Sequence, residues 1–251
     1  MTLRLLMPFA GVLLAMCVDV RRASAEWTLA GFVGGAWTRD STIELTQASH
    51  STDLTLSPVR YHSESLEAPI YYAYRIGVFP SWGWLGIEGE FIHLKVIADT
   101  TRPVMAEGVM RGEAVSDVRP LATVLERFSI THGVNLLLVN AVVRRAVRSH
   151  NDGPPRWFFT GRAGAGASVP HPESTIASAS LERYEWGSLS LQAAGGLELR
   201  LTNRLYLAGE YKLTRTVQHV SVAGGSARTP LTTQHLVGGV VAHLGRLEDR
   251  H

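Results

Sequence analysis

The chain has a single cysteine, and it has no long, clean apolar run after residue 25. Cys17 lies in an N-terminal segment that we predict to be removed, so the remaining chain has no cysteine for a disulfide or a thiolate metal site. A membrane-spanning helix needs about 20 apolar residues, which excludes one in that part of the chain. The sequence also lacks a phosphate-cradling glycine loop and the His-Glu-x-x-His and Gly-x-Ser-x-Gly motifs.

Residues 1–25 have the organisation of a secretory signal peptide. Arg4 supplies the positive charge, Leu5–Val18 forms the apolar segment, and Ala23-Ser24-Ala25 is an A-x-A cleavage site. Cleavage would leave residues 26–251 as one exported domain. It would remove three arginines and one aspartate from 24 basic and 22 acidic residues. The remaining chain is then formally neutral, so its charge gives no support for nucleic acid as a partner.

The strongest structural signal is a period of two. From Gly187 to Leu201 every second residue is glycine, alanine or leucine, and most intervening residues are polar, charged or small. This alternation predicts a long strand with one apolar face, and it resumes after the turn at 202–204. A three-residue turn predicts that Lys212 pairs with Ala194, which keeps both apolar sets on one side.

Similar alternation elsewhere predicts eight antiparallel strands. The other six are Trp27–Thr38, Ile70–Phe79, Trp84–Ile97, Ile130–Val147, Trp157–Val169 and Leu231–Leu244. We predict short turns at 80–82, 149–155 and 202–204, and longer loops at 40–66, 98–129, 170–183 and 218–230. Alternation in the fourth strand is poor, which suggests a bulge or a phase change.

Long strands with charges on the narrow face indicate a barrel with an apolar exterior and a polar interior. We therefore predict an all-β fold, an eight-stranded antiparallel up-and-down outer-membrane β-barrel. A soluble lipocalin-like barrel would have the opposite polarity. Tryptophans and tyrosines near the strand ends fit two interfacial girdles. Charged residues of the narrow face, namely Arg75, Glu88, Arg162, Glu198 and Arg200, predict a structural ion-pair network.

The strand directions bring a second set of polar residues to the outer rim. These residues are His93, Lys95, His132, Asn135, His171, Glu173 and His235. Imidazoles and carboxylates grouped in this way could bind a divalent metal ion or relay protons. The spacing is unspecific, however, since histidines are common on loop-rich surfaces.

Short sequence blocks between Pro69 and Leu244 point to a known family. They are Pro69-Ile70-Tyr71-Tyr72, the run from Gly86 to Val96, His132-Gly133-Val134-Asn135, Gly164-Ala165-Gly166, Val169-Pro170-His171-Pro172-Glu173, Gly209-Glu210-Tyr211-Lys212 and Gly224-Gly225. In this order they resemble the outer-membrane barrels called lipid A oxidases. The resemblance implies an enzyme that uses dioxygen to oxidise the proximal glucosamine of lipid A to an aminogluconate. The chain departs from the family pattern at His132 and at Ser188-Leu189.

The resemblance and the rim residues together select a candidate site facing the outer leaflet. Its catalytic candidates are Glu90, His93, His132, His171, Glu173 and Glu210, and its substrate-binding candidates are Lys95, Asn135, Gln192, Lys212 and His235. Lys95 and Lys212 would pair with phosphates of lipid A or lipopolysaccharide. Glu90, His93 and His171 would hold a divalent metal ion or move protons.

A non-enzymatic reading stays open beside the oxidase. In that interpretation the chain is a structural or surface-interaction barrel in the bacterial outer membrane, and the loops at 40–66 and 98–129 make the contacts. Both interpretations predict a monomeric barrel.

Overall fold

The protein is described by a computed structural model that covers residues 25–130, 133–147 and 154–245. The strands in chain order are β1 (Glu26–Thr38), β2 (Ser41–Gln47), β3 (Thr52–Val59), β4 (Tyr61–His62), β5 (Tyr72–Phe79), β6 (Leu85–His93), β7 (Val96–Ala98), β8 (Pro103–Met110), β9 (Glu113–Pro120), β10 (Arg127–Ile130), β11 (Val134–Val147), β12 (Trp157–Pro170), β13 (Glu173–Ile176), β14 (Ala179–Glu182), β15 (Leu189–Arg200), β16 (Leu205–Val222) and β17 (Gly225–Leu244). Short 3-10 helices occupy Ala48–His50 and Leu121–Thr123. Within these ranges, no helix has the length and apolar character needed to cross a membrane. The predicted signal peptide is residues 1–25, of which 1–24 lie outside the described residues.

Eight of the described strands close into the predicted antiparallel barrel. Their order is β1-β5-β6-β11-β12-β15-β16-β17, and β17 pairs back with β1. The predicted register of the β15–β16 hairpin is confirmed, since Lys212 lies opposite Ala194. The predicted bulge in the fourth barrel strand is wrong, because β11 pairs with β12 without a shift from Val134 to Val147. The sequence of β11 alternates poorly because apolar Leu138 faces the interior on the same side as polar Asn140.

The polarity of the barrel wall is the one predicted for a membrane barrel. Exposed apolar side chains cover the outside, among them Leu29, Val33, Ile76, Ile87, Leu137, Val139, Phe159, Leu191, Leu207, Leu213, Leu236 and Val240. Buried charged or polar side chains fill the inside, among them Arg75, Glu88, Glu90, Arg162, Gln192, Glu198, Glu210, Lys212 and His235. A lipocalin-like barrel, with its apolar side chains inside, is therefore excluded. This wall is that of an outer-membrane β-barrel.

Aromatic residues mark the two edges of the apolar wall. Trp27 and Trp37 are the second and the second-last residues of β1, and both side chains are exposed. Ten residues of strand span roughly 33 Å, or about 25 Å along the axis of a barrel whose strands tilt by about 40°. That height matches the apolar band of outer-membrane barrels. Exposed Trp82 and Trp84 lie at the Trp27 edge, and Trp186 lies at the Trp37 edge.

We call the Trp27 edge the short-turn rim and the Trp37 edge the capped rim. The consecutive strand pairs β5–β6, β11–β12 and β15–β16 are joined at the short-turn rim, where β1 begins and β17 ends. The connections at the capped rim contain the other described strands, namely β2–β4, β7–β10, β13 and β14. In outer-membrane barrels, short turns face the periplasm and long connections face outward.

A lysine placed on the apolar wall tests its contact with lipid. Val139 is 63% exposed in the middle of β11, and Val118 is 69% exposed on β9, away from the barrel. We expect Val139→Lys to destabilise the folded barrel by about 2–4 kcal/mol, since a lysine near the bilayer midplane is costly. Val118→Lys should stay within about 0.5 kcal/mol. Urea unfolding in phospholipid vesicles measures both, and equal small effects would contradict a lipid-facing wall.

The long connections are not the polar loops that the sequence predicted. Segment 40–66 contains β2–β4, segment 98–129 contains β8, β9 and most of β10, and segment 170–183 contains the β13–β14 hairpin. The loop predicted at 218–230 is also wrong, because β16 and β17 stay paired to Val222 and Gly225. The wall sheet continues from the end of β17 through β2, β3, β8 and β9, and β14-β13-β10-β7-β4 form a second sheet.

We call these outer strands, with the ends of β16 and β17, the cap. Its interior is apolar, with side chains such as Leu45, Leu56, Val96, Phe128 and Val222 in one buried cluster that draws on both sheets. The alternate residues Glu44 and Thr46 on β2, and Asp53 and Thr55 on β3, are polar and exposed. The chain therefore reverses its polarity at the capped rim, from a membrane wall to an aqueous β domain.

Candidate functional site

The sequence-predicted residues inside the barrel form one ionic network. Glu90 accepts hydrogen bonds from Arg75 Nη2 at 2.9 Å, Asn140 Nδ2 at 2.9 Å, Gln192 Nε2 at 2.7 Å and the Lys212 ammonium. Its side chain has no solvent exposure, and neither has that of Lys212. Each ionised group is thus satisfied by protein partners.

The network continues through the interior to the short-turn rim. Arg75 also contacts Glu210 at 2.7 Å. Arg162 contacts both Glu210 and Glu88, and the distance from Arg162 Nε to Glu88 is 2.6 Å. Farther along, His243 contacts Glu198 and Glu26, and Arg144 binds Glu26 through two hydrogen bonds. The predicted structural network is confirmed for Arg75, Glu88, Arg162 and Glu198. Arg200 instead donates to the carbonyl of Pro154.

The charges of this network balance. Both ring nitrogens of His243 face carboxylates, so both carry protons and the ring is cationic. The carboxylates are Glu26, Glu88, Glu90, Glu198 and Glu210, and the cations are Arg75, Arg144, Arg162, Lys212 and His243. Glu90, Glu210, Gln192 and Lys212 are therefore occupied with holding the barrel interior together.

Two other predicted substrate-binding residues are also engaged. The ring of His235 lies between the hydroxyls of Tyr71, at 3.1 Å, and Thr214, at 2.9 Å, and is fully buried. Lys95 donates to the carbonyls of Glu67 and Ala68, both at 3.2 Å, and is 6% exposed. Both lysines that the sequence assigned to lipid phosphates are thus buried, so a phosphate at the surface would need other cations.

His93 and Asn135 belong to a different surface, the outside of the wall at the capped rim. Tyr72 pairs with His93 across β5 and β6, and Asn135 pairs with Val169 across β11 and β12. The His93 ring stacks on Tyr72 with centroids 4.9 Å apart, and its Nδ1 lies 2.9 Å from Asn135 Oδ1. The four residues form one row above the apolar wall. We call it the outer-wall row.

The His93 ring has an unused nitrogen. Its Nε2 is buried and has no hydrogen-bond partner among the described residues. The ring borders an open depression of about 480 Å³, which is lined by the outer-wall row with Pro69, Phe91, Leu137 and Tyr184. Gly133 makes room for the ring, since its φ is +104° and a Cβ there would lie 2.5 Å from His93 Nδ1. A polar ligand in the depression could use the unpaired nitrogen.

A second polar cluster lies beside the depression. His171 Nε2 is 3.7 Å from a carboxylate oxygen of Glu182, and Glu173 lies directly opposite Glu182 across β13 and β14. Ligand atoms of the three residues all lie within 4.8 Å of one another. Glu173 also forms a 2.5 Å ion pair with Arg127. One imidazole and two carboxylates make a donor set that suits a divalent transition metal.

Tyr184 connects the two clusters. Its ring packs on His171 with centroids 4.1 Å apart, and it also lines the depression beside His93. The next residue, Glu185, accepts hydrogen bonds from the Ser221 amide at 3.0 Å and from Arg183. Burial alone raises the pKa of Glu185, but these hydrogen bonds outweigh burial and lower that pKa. The ionised carboxylate ties the segment that carries Tyr184 to β16.

Comparisons with known proteins add only distant structural likenesses. No protein-family model matches the chain, and no curated protein matches it. Neisserial surface protein A is 9% identical over 87% of this chain and 97% of its own, with a TM-score of 0.35. Ail of Yersinia pestis is 10% identical over 88% and 99%, with a TM-score of 0.34. The outer membrane protease OmpT from Escherichia coli is 9% identical over 88% and 97%, with a TM-score of 0.40. Likenesses this distant transfer no activity.

The predicted site therefore divides into three parts. His93, Asn135, His171 and Glu173 gather at the capped rim, Glu90, Gln192, Glu210, Lys212 and His235 lie inside the barrel, and Lys95 anchors the β4–β5 connection. His132 lies outside the described residues. Glu182, Tyr72 and Tyr184 were not among the residues predicted for the site. A hairpin register that pairs position 173 with 182 would have found Glu182.

Proposed function

We propose that this bacterial outer-membrane barrel takes a lipid A-type glycolipid from the outer leaflet and oxidises its proximal glucosamine with dioxygen. The unpaired Nε2 of His93 carries the proposal, because the His93 ring lines a depression on the lipid side of the wall. Apolar Phe91 and Leu137 below it would contact acyl chains. The head group of the lipid would then lie level with His93 and Asn135.

The reaction requires a base at the reducing-end carbon of the sugar. Its C–H and O–H bonds break, a carbonyl forms, and dioxygen takes two electrons and two protons to become hydrogen peroxide. Addition of water to the resulting lactone gives the aminogluconate. In this scheme His93 Nε2 accepts the hydroxyl proton, and the hydrogen bond between Nδ1 and Asn135 fixes the ring orientation.

His171, Glu173 and Glu182 are the residues that would hold a divalent metal ion. A redox-active metal there would supply electron transfer to dioxygen. The ion pair of Glu173 with Arg127 would persist, since a carboxylate has two oxygens.

Mass spectrometry of lipid A tests the oxidase directly. The purified barrel is placed in vesicles that contain lipid A without its proximal phosphate, under air or under argon. We expect a product heavier by one oxygen atom, with hydrogen peroxide released in equal amount, under air only. Unchanged lipid A with a folded barrel under air would contradict the proposal.

One observation favours a surface-interaction protein instead. β9 is the last strand of the cap sheet, is mostly exposed, and has β8 as its one neighbour among the described strands, so its other edge is open. Such an edge can pair with a strand of another protein. Loss of cell-surface binding on removal of the β8–β9 hairpin, with lipid A unchanged in the wild type, would favour this alternative.

A further inference from the structure

We infer a second lipid site, on another part of the wall, that binds a phosphate group of an outer-leaflet glycolipid through Arg39 and Arg215. This second site is separate from the site of the proposed oxidase, which lies on the wall formed by β5, β6, β11 and β12. The new site lies on β16, β17 and β1.

Strand register places the two arginines in one outward-facing row. Arg215 pairs with Thr232 across β16 and β17, and the amide of Arg39 donates to the Thr232 carbonyl at 2.9 Å. Neighbouring strands are about 4.8 Å apart, so the backbones of the two arginines are roughly 10 Å apart. Both arginines are exposed, and Thr232 is half-buried between them. Two guanidinium groups at this separation can converge on one phosphate.

The position of the row matches the head-group region of a membrane. The row directly below it contains Leu213, Gln234 and Trp37, and the next contains Tyr211 and Leu236. Tyr211, Leu213, Trp37 and Leu236 are all exposed. The arginines thus lie just above an aromatic girdle and an apolar wall, where phosphates of outer-leaflet lipids are located.

Neither arginine forms an ion pair with another described residue. No carboxylate lies within 4.0 Å of Arg39 or Arg215 in the part of the chain that the structure describes. Nearby surface charges are paired, since Arg228 contacts Glu44 at 2.7 Å and Asp40 contacts Arg60 at 3.7 Å. The buried Lys95 and Lys212 cannot reach a lipid phosphate. Arg39 and Arg215 supply the accessible positive charge that a phosphorylated glycolipid needs.

Lipid retention measured by native mass spectrometry tests this site. The purified barrel is released from nanodiscs of phosphatidylethanolamine with either diphosphoryl lipid A or fully dephosphorylated lipid A. We expect the wild type to retain the diphosphoryl form preferentially. The double variant Arg39→Gln/Arg215→Gln should retain roughly tenfold less of it, because both charge-assisted contacts are lost.

Matched variants separate this site from general charge effects. Arg145→Gln removes an exposed wall arginine at the opposite rim and should leave retention unchanged. Arg39→Lys/Arg215→Lys keeps the charge and should restore part of the retention. Excess inorganic phosphate should not displace the lipid, whereas full displacement would indicate a free-anion site and overturn the lipid assignment. Equal retention by the wild type and the Gln double variant, or of both lipid forms, would also overturn it. The readout is binding, so failure of the oxidase proposal leaves this test intact.

Discussion

Replacing Arg75 by methionine is expected to lower the free energy of unfolding by roughly 3–5 kcal/mol. The guanidinium contacts Glu88, Glu90 and Glu210 in the barrel interior, and its side chain is 2% exposed. Methionine fills much of the same space but leaves three carboxylates with one cation fewer. Unpaired charges at such depth are costly, so the effect should exceed that of removing an exposed arginine. Urea unfolding in lipid vesicles, followed by gel mobility of the folded form, measures it.

The matched control is Arg145→Met, at an exposed position of the wall. It removes the same charge and should change stability by less than about 0.5 kcal/mol. Adding Glu90→Gln to Arg75→Met should recover part of the loss, because it restores the charge balance of the interior. A loss for Arg75→Met no larger than that for Arg145→Met would show that the interior charges are hydrated and contribute little.

The barrel could be predicted from the sequence because its strands alternate over a long stretch and because their charged residues lie on the enclosed face. Alternation that continues over the length of β15 and β16 indicates strands, and Lys212 on the narrow face shows which side is enclosed. The cap could not be predicted in the same way. Its strands are two to eight residues long, and they alternate with ordinary aqueous polarity. At the end of β16 the inward-facing residues change from polar Gln218 to apolar Val220. In the sequence alone, this change looks like the end of the strand, whereas the strand continues into the apolar cap.

The location of the candidate site could be predicted only in part, since four of the predicted residues gather at the capped rim and the others lie elsewhere. A histidine, a lysine and a carboxylate near one strand end are equally consistent with a surface site and with a buried network. Alternation in β6 could have separated them, since Glu90 has the inward phase of Glu88 and His93 has the outward phase of Ile87 and Phe91. Lys95 follows the end of β6, where phase no longer determines direction. The cluster of His171 with Glu182 depends on a cap hairpin that was predicted as loop.

Replacing His93 by phenylalanine is expected to reduce lipid A oxidation by about 10²–10⁴-fold, the usual contribution of a general base. Phenylalanine can keep the stacking contact with Tyr72, so the wall should stay folded. It removes the Nδ1 contact to Asn135 and the unpaired Nε2 of a ring that lines the depression. The measurement is turnover of lipid A in vesicles at several substrate densities. A fall in kcat with little change in KM would indicate lost proton transfer, whereas a rise in KM alone would indicate a binding role.

His219→Phe is the matched control, since His219 is exposed on β16, away from the depression. Its turnover should equal that of the wild type. Added imidazole should restore part of the turnover of the His93 variant, because a small base can enter the open depression. Full turnover by a folded His93→Phe barrel would remove His93 from the reaction. The cluster of His171, Glu173 and Glu182 beside the depression would then be the next candidate among the described residues, since the interior carboxylates are already held by ion pairs and hydrogen bonds within the barrel.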